Sequence, residues 1–578
     1  MFQTCKNCGE SFEITDVDLK FYDKISPVFN DKKYQIPAPT LCPSCRRQRR
    51  FTFRNERNLY YRKCSKTGKQ LISNLNQDTG IKIYENEFWW SDKWDASEYG
   101  REFNFNESFF NQFKKLYQDV PQLALSVWFS ENSNFCNYAG NVKNSYLIFG
   151  SVYSEDCFYG SPYYSKNCVD TLLVRECEFC YECTDCRKLY QSFYCQDCTN
   201  CNNLIYCYDL QSCSDCIGCV GLRNKKNCIF NQQFSKEEFQ KMKNELNLCI
   251  KKSHEIIKEK LNELKLRVPH KYMQSNQVEN VSGNYVYESK NIKDSYYTDK
   301  SQDCAYCTQV VNLKDCYDNN YTEENELCCE YISSYQNSRL LFTKFCNRVH
   351  EAMYCDSCYS SKNLFGCVGL KNKQYCILNK QYSKEEYEEL IPKIIESMQS
   401  PHPPLSRGRS DSPLDKGDLG DLSLQSEWGE FFPSSISPFC YNETVAQEYF
   451  PLTKEQALSK GYKWKDEDLS SQHQGPEYQI PEDIKDVKDE ICDSILKCEA
   501  TSKLYKIIPQ ELKFYRQMNL PIPKKCPDLR HQKRLALRNP RKLFDRNCMK
   551  CGEKIKTTYA PDRPEIVYCE KCYLENVY

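Results

Sequence analysis

Cysteine is the residue with chemistry to offer in this chain, at 39 of 578 positions, and its spacing separates two kinds of site. Cys5-Lys-Asn-Cys8 with Cys42-Pro-Ser-Cys45, and Cys548-Met-Lys-Cys551 with Cys569-Glu-Lys-Cys572, are paired C-x2-C knuckles. A knuckle turns the backbone so that two thiolates face one ion. Two knuckles complete the tetrahedral four-cysteine shell of a closed, structural zinc site. The expected cofactors are therefore two structural Zn2+ ions. Such an ion contributes about 10–16 kcal/mol in small peptides, enough to fold modules of this size.

The second pattern runs from Cys177 to Cys219, where thiols fall every third residue: Cys177, Cys180, Cys183, Cys186, then Cys195, Cys198, Cys201, then Cys213, Cys216, Cys219. The first four superficially resemble an iron–sulfur run, but the last spacing is two rather than three and no proline follows Cys186. A three-residue step does not match the two-residue alternation of a strand. Two readings stay open: packing of small thiols inward or at corners, and an additional metal site on Cys177, Cys180, Cys183 and Cys186.

Other chemistry is sparse. The six histidines are dispersed and form no HExxH pair, and there is no phosphate loop, dinucleotide fingerprint or nucleophile elbow. No catalytic residue or small-molecule substrate is identified. The 79 basic and 79 acidic side chains cancel, so affinity for nucleic acid must come from local clusters. The polar start, already carrying Cys5 and Cys8, has no apolar signal region, and no run of eighteen apolar residues occurs. The expectation is a cytoplasmic protein with no membrane partner, in a reducing compartment where thiols stay ligands or small hydrophobes.

The two ends that must position the knuckles read as copies. Asp18-Leu-Lys-Phe-Tyr22 matches Glu511-Leu-Lys-Phe-Tyr515, Pro37-Ala-Pro39 matches Pro521-Ile-Pro523, and Arg54-Asn-Glu-Arg57 matches Arg538-Asn-Pro-Arg541. In this register Cys64 pairs with Cys548 and Tyr84 with Tyr568. Thr67, Glu85 and Phe88 stand where Cys551, Cys569 and Cys572 stand in the other copy, while Thr501 and Leu529 replace the partners of Cys498 and Cys526. One ancestral four-knuckle unit has lost a different half at each end. That pattern favours sequential pairing over a cross-brace.

Between the ends a cue recurs every nine to twelve residues, as in Lys143-Asn-Ser-Tyr146, Glu155-Asp-Cys-Phe158 and Lys226-Asn-Cys-Ile229. The step is too short for helical repeats and suits a parallel β-solenoid with small inward side chains. Asn and Asp suit its corners because they tolerate left-handed backbone angles. The block repeats: Cys219-Val-Gly-Leu-Arg-Asn-Lys225 is echoed by Cys367-Val-Gly-Leu-Lys-Asn-Lys373, and each copy runs into a capping box, Ser235-Lys-Glu-Glu238 and Ser383-Lys-Glu-Glu386. An amphipathic helix is expected over about 236–266.

The expected fold is thus mainly β: a tandem cysteine-rich parallel β-solenoid in two duplicated halves, flanked by small zinc ribbons, with a few amphipathic helices. Its parts are a ribbon with basic flank (1–70), an aromatic and helical collar (71–130), the first solenoid copy (131–232), a helix (233–270), the second copy (271–382) and a helix (383–398). A disordered low-complexity insertion (399–427, with its Pro, Gly and Ser concentrated in 401–421), a linker (428–490), a degenerate ribbon copy (491–547) and the last ribbon (548–578) follow.

The Cys-Pro-x-Cys-Arg knuckle, the Leu-Lys-Phe-Tyr and Pro-x-Pro loop, the tandem cysteine repeats and Phe431-Phe-Pro433, Ser437-Pro-Phe439 and Tyr441-Asn-Glu-Thr444 together resemble a family of zinc-ribbon, cysteine-rich-repeat proteins from candidate-phyla (Patescibacteria-type) bacteria. The resemblance spans nearly the whole chain except 401–421. It implies a bacterial cytoplasmic location and brings no activity with it. A CoA-transferase name attached to some relatives has no motif here.

Function is expected in the basic flanks. After Cys45 come Arg46, Arg47, Arg49, Arg50, Arg54, Arg57 and Arg62, and the other end carries Arg530, Lys533, Arg534, Arg538 and Arg541. Guanidinium groups interleaved with tyrosines suit phosphates and stacked bases, which points to RNA or a ribosome as partner. They would equally neutralise a zinc ion carrying four thiolates. The alternatives are a protein-interaction scaffold on the solenoid, and a redox or iron–sulfur metalloprotein.

Overall fold

The computed structural model describes residues 1–246, 251–399, 426–466 and 475–577. The 401–421 insertion lies outside the described residues. The chain is mixed α/β with mostly parallel sheets, and divides into two compact units, neither contiguous in sequence. One joins Met1–Ala124 to Met273–Lys465; the other joins Leu125–Tyr272 to Asp466–Tyr578. Each unit therefore combines one end module with one cysteine-rich block. No helix among the described residues is long and apolar enough to cross a membrane.

In the second unit an eleven-stranded sheet runs from Val127–Trp128 to Gln232–Gln233. Its parallel partners sit twelve residues apart, as in Leu189 with Cys201, Leu204 with Cys216 and Cys216 with Cys228. The first unit repeats the arrangement with nine strands: Cys304 faces Cys316, Leu340 faces Ala352, Leu364 faces Cys376. A few steps shorten to eleven, such as Val281 with Ile292.

The backbone explains the three-residue spacing of the cysteines. Every third residue is left-handed, as at Asn200, Asn203, Tyr206, Asp209, Ser212 and Asp215 (φ 51° to 56°). The residue after each of these points inward, and Cys201, Leu204, Cys207, Leu210, Cys213 and Cys216 are all buried. Four such steps fill the twelve-residue offset. Asn and Asp tolerate the left-handed conformation at little cost, and the inward site accepts a small side chain. A thiol there donates to the carbonyl two residues back and nine residues on, as Cys207 Sγ does to Ile205 O at 3.5 Å and Cys216 O at 3.4 Å. It also accepts an amide from twelve residues on: Cys213 N reaches Cys201 Sγ at 3.3 Å. Serine does the same at Ser192, which donates to Tyr190 O and accepts from Leu204 N. The Asn-Cys and Asn-Ser cues are this corner-then-inward pair.

Both sheets end in an antiparallel pair, Cys228 with Gln233 and Cys376 with Gln381, and lead into a capped helix. Ser235 and Glu238 close the box before Lys236–Glu245; Ser383 and Glu386 do so before Lys384–Gln399. The helix expected over 236–266 is described as Lys236–Glu245 and Lys251–Arg267; residues 247–250, including Cys249, lie outside the described residues. Phe239 and Ile257 cover Ile205, Ile217 and Ile229. In the first unit Phe109, on helix Phe109–Asp119, packs 5.0 Å from Tyr354 and 5.3 Å from Phe365. The stretch expected as a linker contributes Trp428, Phe431 and Phe432 to the same core.

A β-branched residue cannot take the left-handed corner cheaply. Asn224→Val (φ 55°, exposed) is expected to cost about 1–2 kcal/mol in urea unfolding, while Lys225→Val next to it, also exposed and not left-handed, changes the midpoint little.

Candidate metal centres and the arginine locks

The first knuckle sits on a hairpin of Phe2–Thr4 and Ser11–Glu13. Cys5 N donates to Glu10 O at 2.9 Å, Gly9 N to Cys5 O at 2.9 Å, and Gly9 takes φ 74° to close the turn. The last ribbon uses the same device between Phe544–Asn547 and Lys554–Thr557: Cys548 N to Glu553 O at 2.7 Å, Gly552 N to Cys548 O at 2.9 Å, Gly552 at φ 78°. The second knuckle of each set lies at a helix start, Cys42 capping Pro43–Phe51 and Cys569 preceding Glu570–Val577.

Cys5, Cys8, Cys42 and Cys45 come together with every sulfur within 4.8 Å of the others, and so do Cys548, Cys551, Cys569 and Cys572. Cys8 Sγ lies 3.8 Å from Cys42 Sγ, and Cys551 Sγ 3.8 Å from Cys569 Sγ. Three ligands of each set are buried and one is exposed, and each set can hold one metal ion. Asn7 Nδ2 donates to Cys45 Sγ at 3.2 Å and Cys42 N to Cys5 Sγ at 3.3 Å. These N–H groups offset sulfur charge, as do those at Cys548, where burial pushes the thiol up but amides of Cys551, Cys569 and Lys550 bring it down to about 6. Ligands pair sequentially in both sets.

Where the knuckle is lost, the hairpin persists without its cysteine pair. Cys64 N donates to Lys69 O and Gly68 N to Cys64 O, both at 2.9 Å, with Gly68 at φ 74°. Thr67 Oγ1 donates to Glu85 Oε1 at 2.7 Å, so a hydroxyl–carboxylate hydrogen bond replaces two thiolates. Cys64 Sγ accepts the amides of Thr67 and Glu85.

The four thiols Cys177, Cys180, Cys183 and Cys186 do not form a third cluster. Among the described residues the groups able to hold an ion are the two above. Each of the four is buried and engages carbonyls, as Cys183 Sγ does with Tyr181 O at 3.5 Å and Ser192 O at 3.3 Å. The packing reading is the one the geometry carries, because successive thiols sit on successive three-residue steps.

The basic flanks are also corrected. Arg46, Arg47, Arg50 and Arg54, with Arg530 and Arg534, are at most 3% exposed. Arg46 Nε donates to Asp318 Oδ2 at 2.9 Å; Arg50 grips Asp318 Oδ1 at 2.9 Å, Glu330 Oε2 at 2.7 Å and Asn320 Oδ1 at 2.7 Å. Arg49 reaches Glu430 and Glu330, Arg47 lies over Tyr296, Arg54 over Tyr321. Arg62 donates to the carbonyls of Leu75, Asn76 and Ile81. In the second unit Arg530 pairs with Asp170, Arg534 with Asp170 at 3.0 Å and Glu182 at 3.1 Å, Arg538 Nε with Asp185 at 2.9 Å. Arg57 and Arg541 are half-buried; Lys533 alone of the twelve is exposed.

The two locks correspond residue by residue. Arg46, Arg50 and Arg54 match Arg530, Arg534 and Arg538 in the register that aligns Cys64 with Cys548. Asp318 and Glu330 match Asp170 and Glu182 in the register that aligns Cys219 with Cys367. The signal in the sequence was arginine at four-residue helical spacing, opposite carboxylates one twelve-residue step apart.

No family model matches the chain, and no curated protein matches it. A solved structure from Desulfovibrio desulfuricans G20, whose title proposes an acetyltransferase, aligns with 39% of this chain and 65% of its own at 11% identity, with a TM-score of 0.11. That likeness carries no argument. The chain spans about two thirds of that structure's length.

Truncating one member of a buried ion pair strands its partner, at about 3–5 kcal/mol, and Arg50→Met is expected to lose that much in urea unfolding of the first unit. Burial pushes the Asp318 carboxyl up, but Arg46 and Arg50 outweigh it and hold it below the ordinary range. Its stabilisation is therefore present above the unfolded value near ~3.9 and lost as pH falls through the lower folded value. That acid step should shrink in Arg50→Met.

Proposed function

We propose that this chain is a zinc-stapled, non-catalytic binding scaffold: two duplicated parallel β-solenoid halves, each braced by a ribbon module through an arginine lock, that presents an exposed face to a protein partner. The observation that carries this reading is the burial of the flanking arginines against Asp318, Glu330 and Asp170. Guanidinium groups spent inside the units hold modules together rather than meet phosphates. The twelve-residue register, shortened to eleven at a few steps, with a left-handed corner at nearly every third residue, supports the solenoid reading. Zinc fits the four-thiolate sets because d10 Zn2+ accepts a closed tetrahedral sulfur shell, which leaves no position open for substrate.

The partner face is a column of aromatic corners in the second unit. Trp128, Gly140, Val152 and Tyr163 are register partners, so the corners that follow them, Phe129, Asn141, Tyr153 and Tyr164, line up in turn. Phe129 is 85% exposed, Tyr153 56% and Tyr164 45%, and the last two stack at 5.2 Å with Arg175 over Tyr164. Aromatic corners elsewhere are less exposed, from buried at Tyr159 and Tyr354 to half-buried at Phe179, Tyr285 and Tyr297. Exposed tyrosine beside arginine is the composition of an interaction hot spot.

Metal analysis and an absorption spectrum test the staple: two zinc ions per chain and no visible colour are expected, falling to one in Cys45→Ser and in Cys572→Ser. Iron, or colour, would refute it. For the face, a Phe129→Ser, Tyr153→Ser, Tyr164→Ser triple variant should lose partners that co-purify after nuclease treatment. RNA binding that weakens with salt at a log–log slope of roughly −4.5, the value for about five phosphates, and that survives this triple change would favour the nucleic-acid reading instead.

A further inference from the structure

The remaining half of the C-terminal ribbon copy, at Cys498 and Cys526, is left over once the two four-thiolate sets are assigned. Its hairpin pairs Leu496–Lys497 with Leu504–Tyr505. Cys498 N donates to Lys503 O at 2.9 Å and Ser502 N to Cys498 O at 3.0 Å, with Ser502 left-handed at φ 58°. A serine thus holds the turn that glycine closes at Gly9 and Gly552. Cys526 caps helix Pro527–Ala536 with proline at its first position, as Cys42 caps Pro43–Phe51. Thr501 Oγ1 stands 3.9 Å from Cys526 Sγ, where Cys8 Sγ stands 3.8 Å from Cys42 Sγ. The shape of a metal knuckle persists although two of its four sulfurs are gone.

We propose that Cys498 and Cys526 form a two-coordinate site for a soft monovalent d10 cation, Cu(I) or its analogue Ag(I). Zinc seeks four ligands, and this position offers two sulfurs and one hydroxyl, with Leu529 standing in sequence where the fourth cysteine would be. A soft d10 ion is satisfied by two thiolates and prefers them to harder donors. The surroundings suit such an ion. Cys498 and Cys526 are buried in one apolar cluster with Tyr505, Leu520 and Ile522, against which Leu529 packs. The metal charge is met by sulfur. Binding displaces the proton from each thiol still carrying one and forms two metal–sulfur bonds without electron transfer.

The test uses the full chain loaded with zinc, titrated with Ag(I) while released zinc is followed with a chromophoric chelator. The first equivalent of Ag(I) should bind without zinc release, with sulfur-to-silver charge-transfer absorption. Cys498→Ser and Cys526→Ser should each abolish this silent equivalent while keeping two zinc ions, which shows that they fold. Restoring the shell with Thr501→Cys and Leu529→Cys should bring zinc per chain from two to three. Zinc release from the first equivalent, the same silent uptake in Cys498→Ser, or failure of the restored shell to take a third zinc would each overturn the proposal.

Discussion

A left-handed residue at every third position is the constraint on which both cysteine-rich blocks depend. It bends the chain after each short extended step, turns one side chain per step inward, and sets the register of parallel partners twelve residues apart. Each consequence narrows the sequence. Corners often take Asn, Asp or Gly, but Glu, Gln, Ser, Lys and aromatic residues stand there too, as at Glu176, Gln191, Ser212, Lys188 and Tyr354. Inward positions take small apolar residues, or Cys, Ser and Asn, whose polar groups donate to and accept from neighbouring backbone, as at Cys207, Ser192 and Asn337. Cysteine density that suggests a redox centre is thereby a packing solution. The thiol is compact, weakly polar and able to fill a narrow interior without stranding a donor.

Upon this scaffold the end modules are fixed by charge rather than by apolar contact alone. Burying guanidinium groups is costly unless every one meets an acceptor, and Arg50 meets three, at Asp318, Asn320 and Glu330. Arginine is suited to this because its planar fork reaches two carboxylates at once, which a lysine does not. Asp318 and Glu330 are neighbours only because their positions differ by one register step. The lock therefore reads the register of the sheet, and a slip of one three-residue step would remove its second carboxylate.

Much of this was legible in the residues. The knuckle spacing named both four-thiolate sets and their sequential pairing, since ligand spacing in a ribbon is local and set by a single turn. The capping boxes at Ser235 and Ser383 were equally local. The corner-then-inward cue was visible as Asn-Cys and Asn-Ser pairs, but its three-residue period was not convertible into geometry without knowing that every corner is left-handed. The arginines were the main misreading. Their pattern on helix Pro43–Phe51 says that they share a face, yet nothing in the local sequence says that Asp318 waits opposite, 272 residues on. The same distance hid the assembly of each unit from two separated stretches.

That separation bears on how the protein is made. During synthesis at about 5–20 residues per second, Arg46 and Arg50 emerge tens of seconds before Asp318 and Glu330, and the whole Leu125–Tyr272 stretch of the other unit is produced in between. The nascent first module must exist meanwhile with its guanidinium groups in water. Its four thiols lie within the first 45 residues, so metal capture needs nothing from later in the chain. An ion held by those four thiols would give the early segment a fold of its own while its long-range partners are still unmade, so that later assembly would dock a preformed piece rather than fold a loose one.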